Sequence, residues 1–197
     1  MKCLVLKETP YKEADKMLTV ISDEQGKITV LAKGAKKAGS RFLAAASGFA
    51  YSDMELKENK GLYILQNATI IESFYELRND IDVLMTAAEV AKKALKVSQE
   101  NLPDTDVLRL TLVALYRLKQ NKISPNLIKA VYTLKLLFVL GMLTPDGVIC
   151  VKKGTQAAVE YIYEAGEENL LAFKVSEEVE NELVTVSERL FEHIAFN

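Results

Sequence analysis

Lys27-Ile28-Thr29-Val30-Leu31-Ala32-Lys33-Gly34-Ala35-Lys36-Lys37-Ala38-Gly39-Ser40-Arg41 joins a strand to a basic loop. Ile28, Val30 and Ala32 alternate with Thr29 and Leu31, the period of a strand with one face buried. From Gly34 onward the residues are small or basic, so the strand ends in a loop or a short helix. Asp23-Glu24-Gln25-Gly26 is the turn that precedes it, and Met17–Ile21 is a strand before that. Leu4–Leu6, Phe49–Leu56 and Leu62–Phe74 have the same β-prone character, with Glu58-Asn59-Lys60-Gly61 as a hairpin turn between the last two. Five or so closely spaced strands within the first 78 residues predict a small barrel of the OB type.

Beyond residue 78 the period changes. Leu84, Ala88, Ala91 and Leu95 fall on one side of a helix, with Lys92, Lys93 and Lys96 off that stripe. Asp104 or Thr105 caps a second helix running to about Lys119, with Leu108, Leu112 and Leu115 turned inward. Ser124-Pro125 starts a third, apolar on nearly all sides, which Gly141 and Pro145 close. Ser176–Ala195 is a fourth, with acids in its first turns as the helix dipole favours. Between them, Val159–Tyr163 and Leu170–Val175 read as a short β-ribbon near 158–175. The expected organisation is thus a barrel domain over 1–78 and a helical domain over 79–197.

The chain has 197 residues, 25 Lys and Arg, 27 Asp and Glu, and a formal net charge of −2. That total hides a gradient: +3 over residues 1–60, +1 over 61–149 and −6 over 150–197. Lys27–Arg41 holds five cations and no acid, a local positive field. Lys27, Lys33, Lys36, Lys37 and Arg41 are the candidate contacts to a phosphate chain, approached closely because the intervening residues are small. Phe42, Phe49, Tyr51 and Tyr63 are either stacking faces or core aromatics, and the residues alone do not separate the two. The run Gly34–Arg41 is no nucleotide-hydrolysing P-loop, since Ser40 stands where that motif needs Lys. Arg109, Arg117, Lys129 and Lys135 accompany a very apolar helical surface, which suits an acidic peptide with a hydrophobic end. Two cysteines and one histidine leave no zinc site and no disulfide framework. His193 has no nucleophile or carboxylate partner in register, and no catalytic constellation is legible, so neither an enzyme nor a cofactor is expected. Cys3 reads as a small core residue. The longest apolar run, Leu136–Leu143, is far short of the roughly 20 residues of a membrane span. Cys3–Leu6 is too short for the core of a secretory leader, which points to the cytoplasm.

Several stretches, in order, resemble the RecO family of bacterial recombination mediators. They are Pro10–Thr19, Gly26-Lys27, Ala32–Lys37, Ser40-Arg41-Phe42, Gly61–Leu65, Glu72-Ser73-Phe74 with Leu77-Arg78 and Asp80, and Tyr132–Leu137 with Gly141 and Pro145. The resemblance implies an N-terminal OB barrel and a C-terminal helical domain. It implies binding of single- and double-stranded DNA, strand annealing, and partnership with RecR. It also implies docking on the C-terminal tail of single-stranded DNA-binding protein, so that RecA is loaded on the strand. Lys33, Lys36, Lys37 and Arg41 would face phosphate, and Lys135 stands near the family's tail-binding region. Two departures stand out. Lys12 replaces a usual Gly, and Cys150-Val151-Lys152-Lys153 keeps only the first cysteine of a four-cysteine zinc motif in a region that looks shortened. A metal-free, degenerate ribbon is therefore expected. The alternative reading is a non-catalytic interaction adaptor whose barrel binds DNA weakly.

Overall fold

The computed structural model describes residues 1–150 and 152–195. Five strands come first: β1 (Lys2–Tyr11), β2 (Asp15–Ser22), β3 (Gly26–Ala32), β4 (Tyr51–Asn59) and β5 (Leu62–Glu72). They close into a barrel in the order β1-β2-β3-β5-β4, with β4 pairing back onto β1. All pairings are antiparallel except β3 with β5, where Val30 faces Tyr63 and Leu31 faces Ile64. This is the OB-type barrel expected from the strand spacing. Closure removes the free edges that a five-stranded open sheet would leave.

The alternation in β3 decides what fills it. Ile28, Val30 and Ala32 are buried and Thr29 is exposed, as the period-two reading requires, while Leu31 on the outer face is also covered at 8 % exposure. Leu18, Val20, Met54 and Leu65 complete the interior from the other strands. Residues 33–50 form successive turns rather than a helix, and their apolar members plug one end. Ala35, Phe42 and Ala46 belong to the core, while Lys36 and Lys37 on the same segment are exposed. A bulge near Leu6 in β1 lets this segment join the wall: Phe49 N–H donates to Val5 O at 2.7 Å and Val5 N–H to Ala50 O at 3.0 Å.

Five α-helices follow among the described residues: α1 (Ile81–Val97), α2 (Thr105–Gln120), α3 (Pro125–Val139), α4 (Lys153–Glu164) and α5 (Glu177–Ala195). Two compact units are present, Met1–Asn79 with Ala94–Arg109, and Asp80–Lys93 with Leu110–Asn197. The capping chemistry is local. Asp80 accepts from the N–H of Asp82 and Val83, and Asp104 from that of Val107. Each such cap is worth about 1 kcal/mol. In the helical unit Tyr132 is 2 % exposed, and its hydroxyl meets Thr111 Oγ1 at 3.1 Å, so neither polar atom is stranded in the apolar centre.

Two expectations are corrected here. The ribbon read over Val159–Tyr163 and Leu170–Val175 does not form. Val159–Tyr163 lies in α4, and residues 165–175 hold no strand. Thr155, Ala158, Val159 and Ile162 are the buried residues, at i, i+3, i+4 and i+7. This longer helical period outweighs the short β-branched and aromatic run inside it. In α1 the buried apolar residues are Val83, Ala87, Val90, Ala91 and Ala94; of the predicted stripe Ala91 is buried while Leu84, Ala88 and Leu95 are not, and Lys93 is buried with them at 4 % exposure. Its charge argues against such a place, but it has a partner. Lys93 Nζ is 2.7 Å from Glu188 Oε2 and 4.5 Å from the centre of the Phe191 ring, both on α5.

Candidate nucleic-acid interface

The basic loop is held against the β1–β2 turn. Gly34 N–H donates to Asp15 Oδ1 at 2.7 Å, and Lys36 N–H donates to Ala14 O at 2.8 Å. The turn itself carries Lys12 at φ +50°, a left-handed conformation that favours Gly. These anchors leave Lys33, Lys36 and Lys37 side by side in sequence and exposed. Arg41 is different. Its Nη2 donates to Gln66 O on β5 at 2.8 Å, and its guanidinium lies 4.6 Å from the Phe42 ring centre. It is fixed in place beside the loop.

Lys27 is not part of this cluster. It lies at the far end of β3, six residues and about 20 Å from Lys33 along the strand. Its Nζ points to Leu95 O near the end of α1 at 3.5 Å, and its backbone pairs with residues 99 and 101. The aromatic question is also resolved. Phe42 and Phe49 are each 8 % exposed and pack inside, while Tyr51 and Tyr63 are half-buried. Phe42 and Phe49 therefore offer no face to a base.

A cleft of about 520 Å³ opens between Lys33, Arg41 and the β4–β5 hairpin. From that hairpin it is lined by Lys57, Glu58, Asn59, Ile64, Leu65 and Gln66. Sequence reasoning misses Lys57 because acids flank it there. The β4–β5 register sets it opposite Ile64, and the pairing of β5 with the end of β3 brings it to the basic loop.

The four cations read onto the apolar helical surface are not gathered: Arg109 falls in the unit that holds the barrel, and Arg117, Lys129 and Lys135 in the helical unit. Lys129 Nζ sits 3.4 Å from Glu188 Oε1 and 3.9 Å from Glu89. Lys135 Nζ donates to Tyr163 O at 2.8 Å and Ala165 O at 2.7 Å, closing the C-terminus of α4. Burial pushes its pKa down, and the charge of Glu167 partly offsets that. Arg117 donates to Glu168 O at 3.2 Å, and Arg109 is exposed beside Asp106. A groove of about 480 Å³ lies elsewhere on this unit. It is lined by Ile123, Leu127, Leu171 and Phe173, with the exposed cations Lys122 and Lys174.

Comparison with known proteins agrees with this two-part plan. Residues 1–74 match the family described as recombination protein O N terminal, and residues 78–190 match recombination protein O C terminal. The chain belongs to the RecO family. The DNA repair protein RecO of Acetivibrio thermocellus is 31 % identical over 94 % of this chain and 87 % of its own length. That of Caldicellulosiruptor bescii is 34 % identical over 71 % of this chain and 57 % of its own. That of Bacillus subtilis is 32 % identical over 72 % and 56 % respectively. RecO membership places the chain among DNA repair proteins with an OB-like barrel. No helix of the described residues is long and apolar enough to cross a membrane.

The residues present do not fit the zinc ion of RecO relatives with four cysteines. Cys150 is half-buried, Val151 lies outside the described residues, and Lys153 opens α4. Among the described residues no three His, Cys, Asp or Glu side chains converge on a metal position.

Proposed function

We propose that this RecO-family chain is a non-catalytic recombination mediator that binds single- and double-stranded DNA through the basic face of its barrel. The carrying observation is the acid-free loop with Lys33, Lys36 and Lys37 exposed, anchored by its backbone to the β1–β2 turn. Arg41, already oriented, borders the loop, whereas Lys27 points to Leu95 O and stands apart from it. Lys36 Nζ rests 3.5 Å from Lys12 O but is exposed, and an anchored small-residue backbone with accessible ammonium groups is what a phosphate chain requires; each neutralised phosphate releases counterions. In this reading the protein anneals strands and, with RecR, assists RecA loading in the cytoplasm on DNA coated by single-stranded DNA-binding protein. The acidic, hydrophobic-ended tail of that protein docks on the helical unit, where the groove flanked by Lys122 and Lys174 has fitting chemistry. Arg117 lies outside this groove, and Lys129 and Lys135 are engaged in contacts of their own unit.

Anisotropy of a labelled single strand, titrated at several salt concentrations, tests the DNA surface. Replacing Lys33, Lys36 or Lys37 by Ala should lower the log–log salt slope by about 0.7 for each phosphate no longer neutralised. An unchanged slope in the triple variant overturns the proposed surface. For the tail, Lys122→Glu with Lys174→Glu should abolish binding of an acidic tail peptide. If only Arg109→Glu with Arg117→Glu does so, the peptide sits on α2 instead.

A further inference from the structure

The helical unit carries a second recess, of about 450 Å³, between the first half of α1 and the start of α3. Its chemistry is opposite to that of the groove beside Lys122 and Lys174. Asp82 and Glu89 are exposed on α1 and both line it. Asp80 lines it too, with its carboxylate engaged by the N–H groups of Asp82 and Val83. Lys129, on the α3 wall, is held from within: its Nζ is nearer Glu188 Oε1, at 3.4 Å, than Glu89 Oε2, at 3.9 Å. The starts of α1 and α3 each add roughly half a positive charge, against whole negative charges on the carboxylates. The recess therefore favours a cation. Thr86 points the same way by a different route. It is 7 % exposed and lines the recess, and among the described residues its hydroxyl has no hydrogen-bond partner. Covered hydroxyls are normally paired, so this one is set for a group that arrives from outside. Beside the acids, Ile81 is 67 % and Met85 61 % exposed, one turn apart. Ile81, Met85, Glu89, Asp82 and Thr86 follow one another round about 140° of the helix, apolar edge first and hydroxyl last.

We propose that this recess is the docking site for a basic, apolar-anchored segment of a partner protein. An arginine of that segment lies between Asp82 and Glu89 and donates to the Thr86 hydroxyl, and a neighbouring apolar side chain covers Met85 and Ile81. Charge complementarity selects the occupant, and a planar guanidinium has donors enough for both carboxylates and the hydroxyl. An acidic peptide is repelled here, so the two grooves of this unit take partners of opposite charge. This docking site is independent of DNA binding by the barrel.

The test uses the full chain and fluorescent peptides followed by anisotropy at low salt. Leu-Arg-Ala-Leu-Arg-Leu amide should bind saturably, and its counterpart with Glu in place of Arg should not. Asp82→Asn with Glu89→Gln should weaken the arginine peptide about tenfold. Thr86→Val keeps the shape, removes only the hydroxyl and should weaken it about threefold. Ile81→Ser with Met85→Ser should weaken it while leaving its salt dependence intact. Glu160→Gln with Glu164→Gln removes the same net charge from the exposed face of α4 and should leave affinity within about twofold. Equal weakening by that control reduces the effect to net charge and overturns the site. So does an absence of saturable binding, or full affinity in the Asp82 and Glu89 variant. The chain's own basic segment, residues 33–43, serves as a third peptide. If it binds more tightly than the arginine peptide and the full chain sediments as a dimer, the occupant is a second copy and the assignment to a partner protein is overturned.

Discussion

Glu188→Gln should destabilise the helical unit by about 2–3 kcal/mol at neutral pH. Lys93 is 4 % exposed and lies 2.7 Å from Glu188 Oε2, while Lys129 approaches Oε1 at 3.4 Å. Removing one partner of a fully buried pair costs about 3–5 kcal/mol, because the other charge is left without compensation. The Glu188 side chain is 31 % exposed, so water screens part of this, and the expectation drops to about 2–3 kcal/mol. The pH dependence follows from the same contacts. Burial pushes the Glu188 carboxyl up, but the hydrogen bond and charge of Lys93, then Lys129, outweigh it and leave it below the usual range. A carboxyl depressed in the folded state stabilises above its unfolded pKa of about 4.3, and that contribution is lost as pH falls through the folded value. The gap between wild type and variant should therefore be constant from about pH 6 to pH 8 and shrink below about pH 4. Urea unfolding followed by far-ultraviolet circular dichroism measures it. With a slope of about 2 kcal/mol per molar urea, the midpoint should fall by roughly 1 M at unchanged slope. Lys93→Met with Glu188→Leu should recover most of the loss, since an apolar pair of similar volume leaves no stranded charge. A shift in Glu188→Gln below about 0.5 kcal/mol, or a gap unchanged at pH 3, would refute the buried-pair reasoning.

Lys12→Gly should raise stability by about 0.5 kcal/mol, because relief of the left-handed φ of +50° exceeds the added flexibility of the unfolded chain; a higher melting temperature is the readout. Gly26→Ala should cost at least about 3 kcal/mol. A Cβ there would lie 1.8 Å from Leu102 O at φ +62°, and a wild-type urea midpoint would contradict this. Cys3 should resist alkylation in the native state at pH 8, since burial pushes its thiol up to about 12 and it is fully enclosed. Mass spectrometry should show Cys150, half-buried and raised less, labelled first and Cys3 only on unfolding.

Much of the fold is written in short-range pattern. The alternation of β3, the hairpin at Asn59–Gly61 and the caps at Asp104 and Ser176 are decided by residues within a few positions of one another. Their elements form where the pattern puts them. The errors have a shared cause. Val159–Tyr163 looks like a strand in a window five residues wide, and the helical burial set that overrides it spans eight. Lys93 is read as lying off the apolar stripe because its compensating carboxylate lies 95 residues away. Phe42 is ambiguous in sequence because a loop aromatic goes inside only if the loop closes a barrel end.

The candidate site divides in the same way. The cation density of residues 27–41 is a property of composition, and no folding could make it neutral. Which of those cations stand together is a property of the fold. Strand length carries Lys27 away from Lys33, the β5 carbonyl of Gln66 fixes Arg41, and the β4–β5 register delivers Lys57 from a stretch that looks acidic. In the helical unit, Lys135 reads as a partner contact until the end of α4 supplies two carbonyls for it. By itself the sequence determined the five strands, four of the five described α-helices, the family and the density of cations over 27–41, because hydrophobic period and composition are local quantities. Only the tertiary structure decided which charges are free and which are spent internally. A charged group's partner is set by distance in space, and the covalent order does not encode that distance one residue at a time.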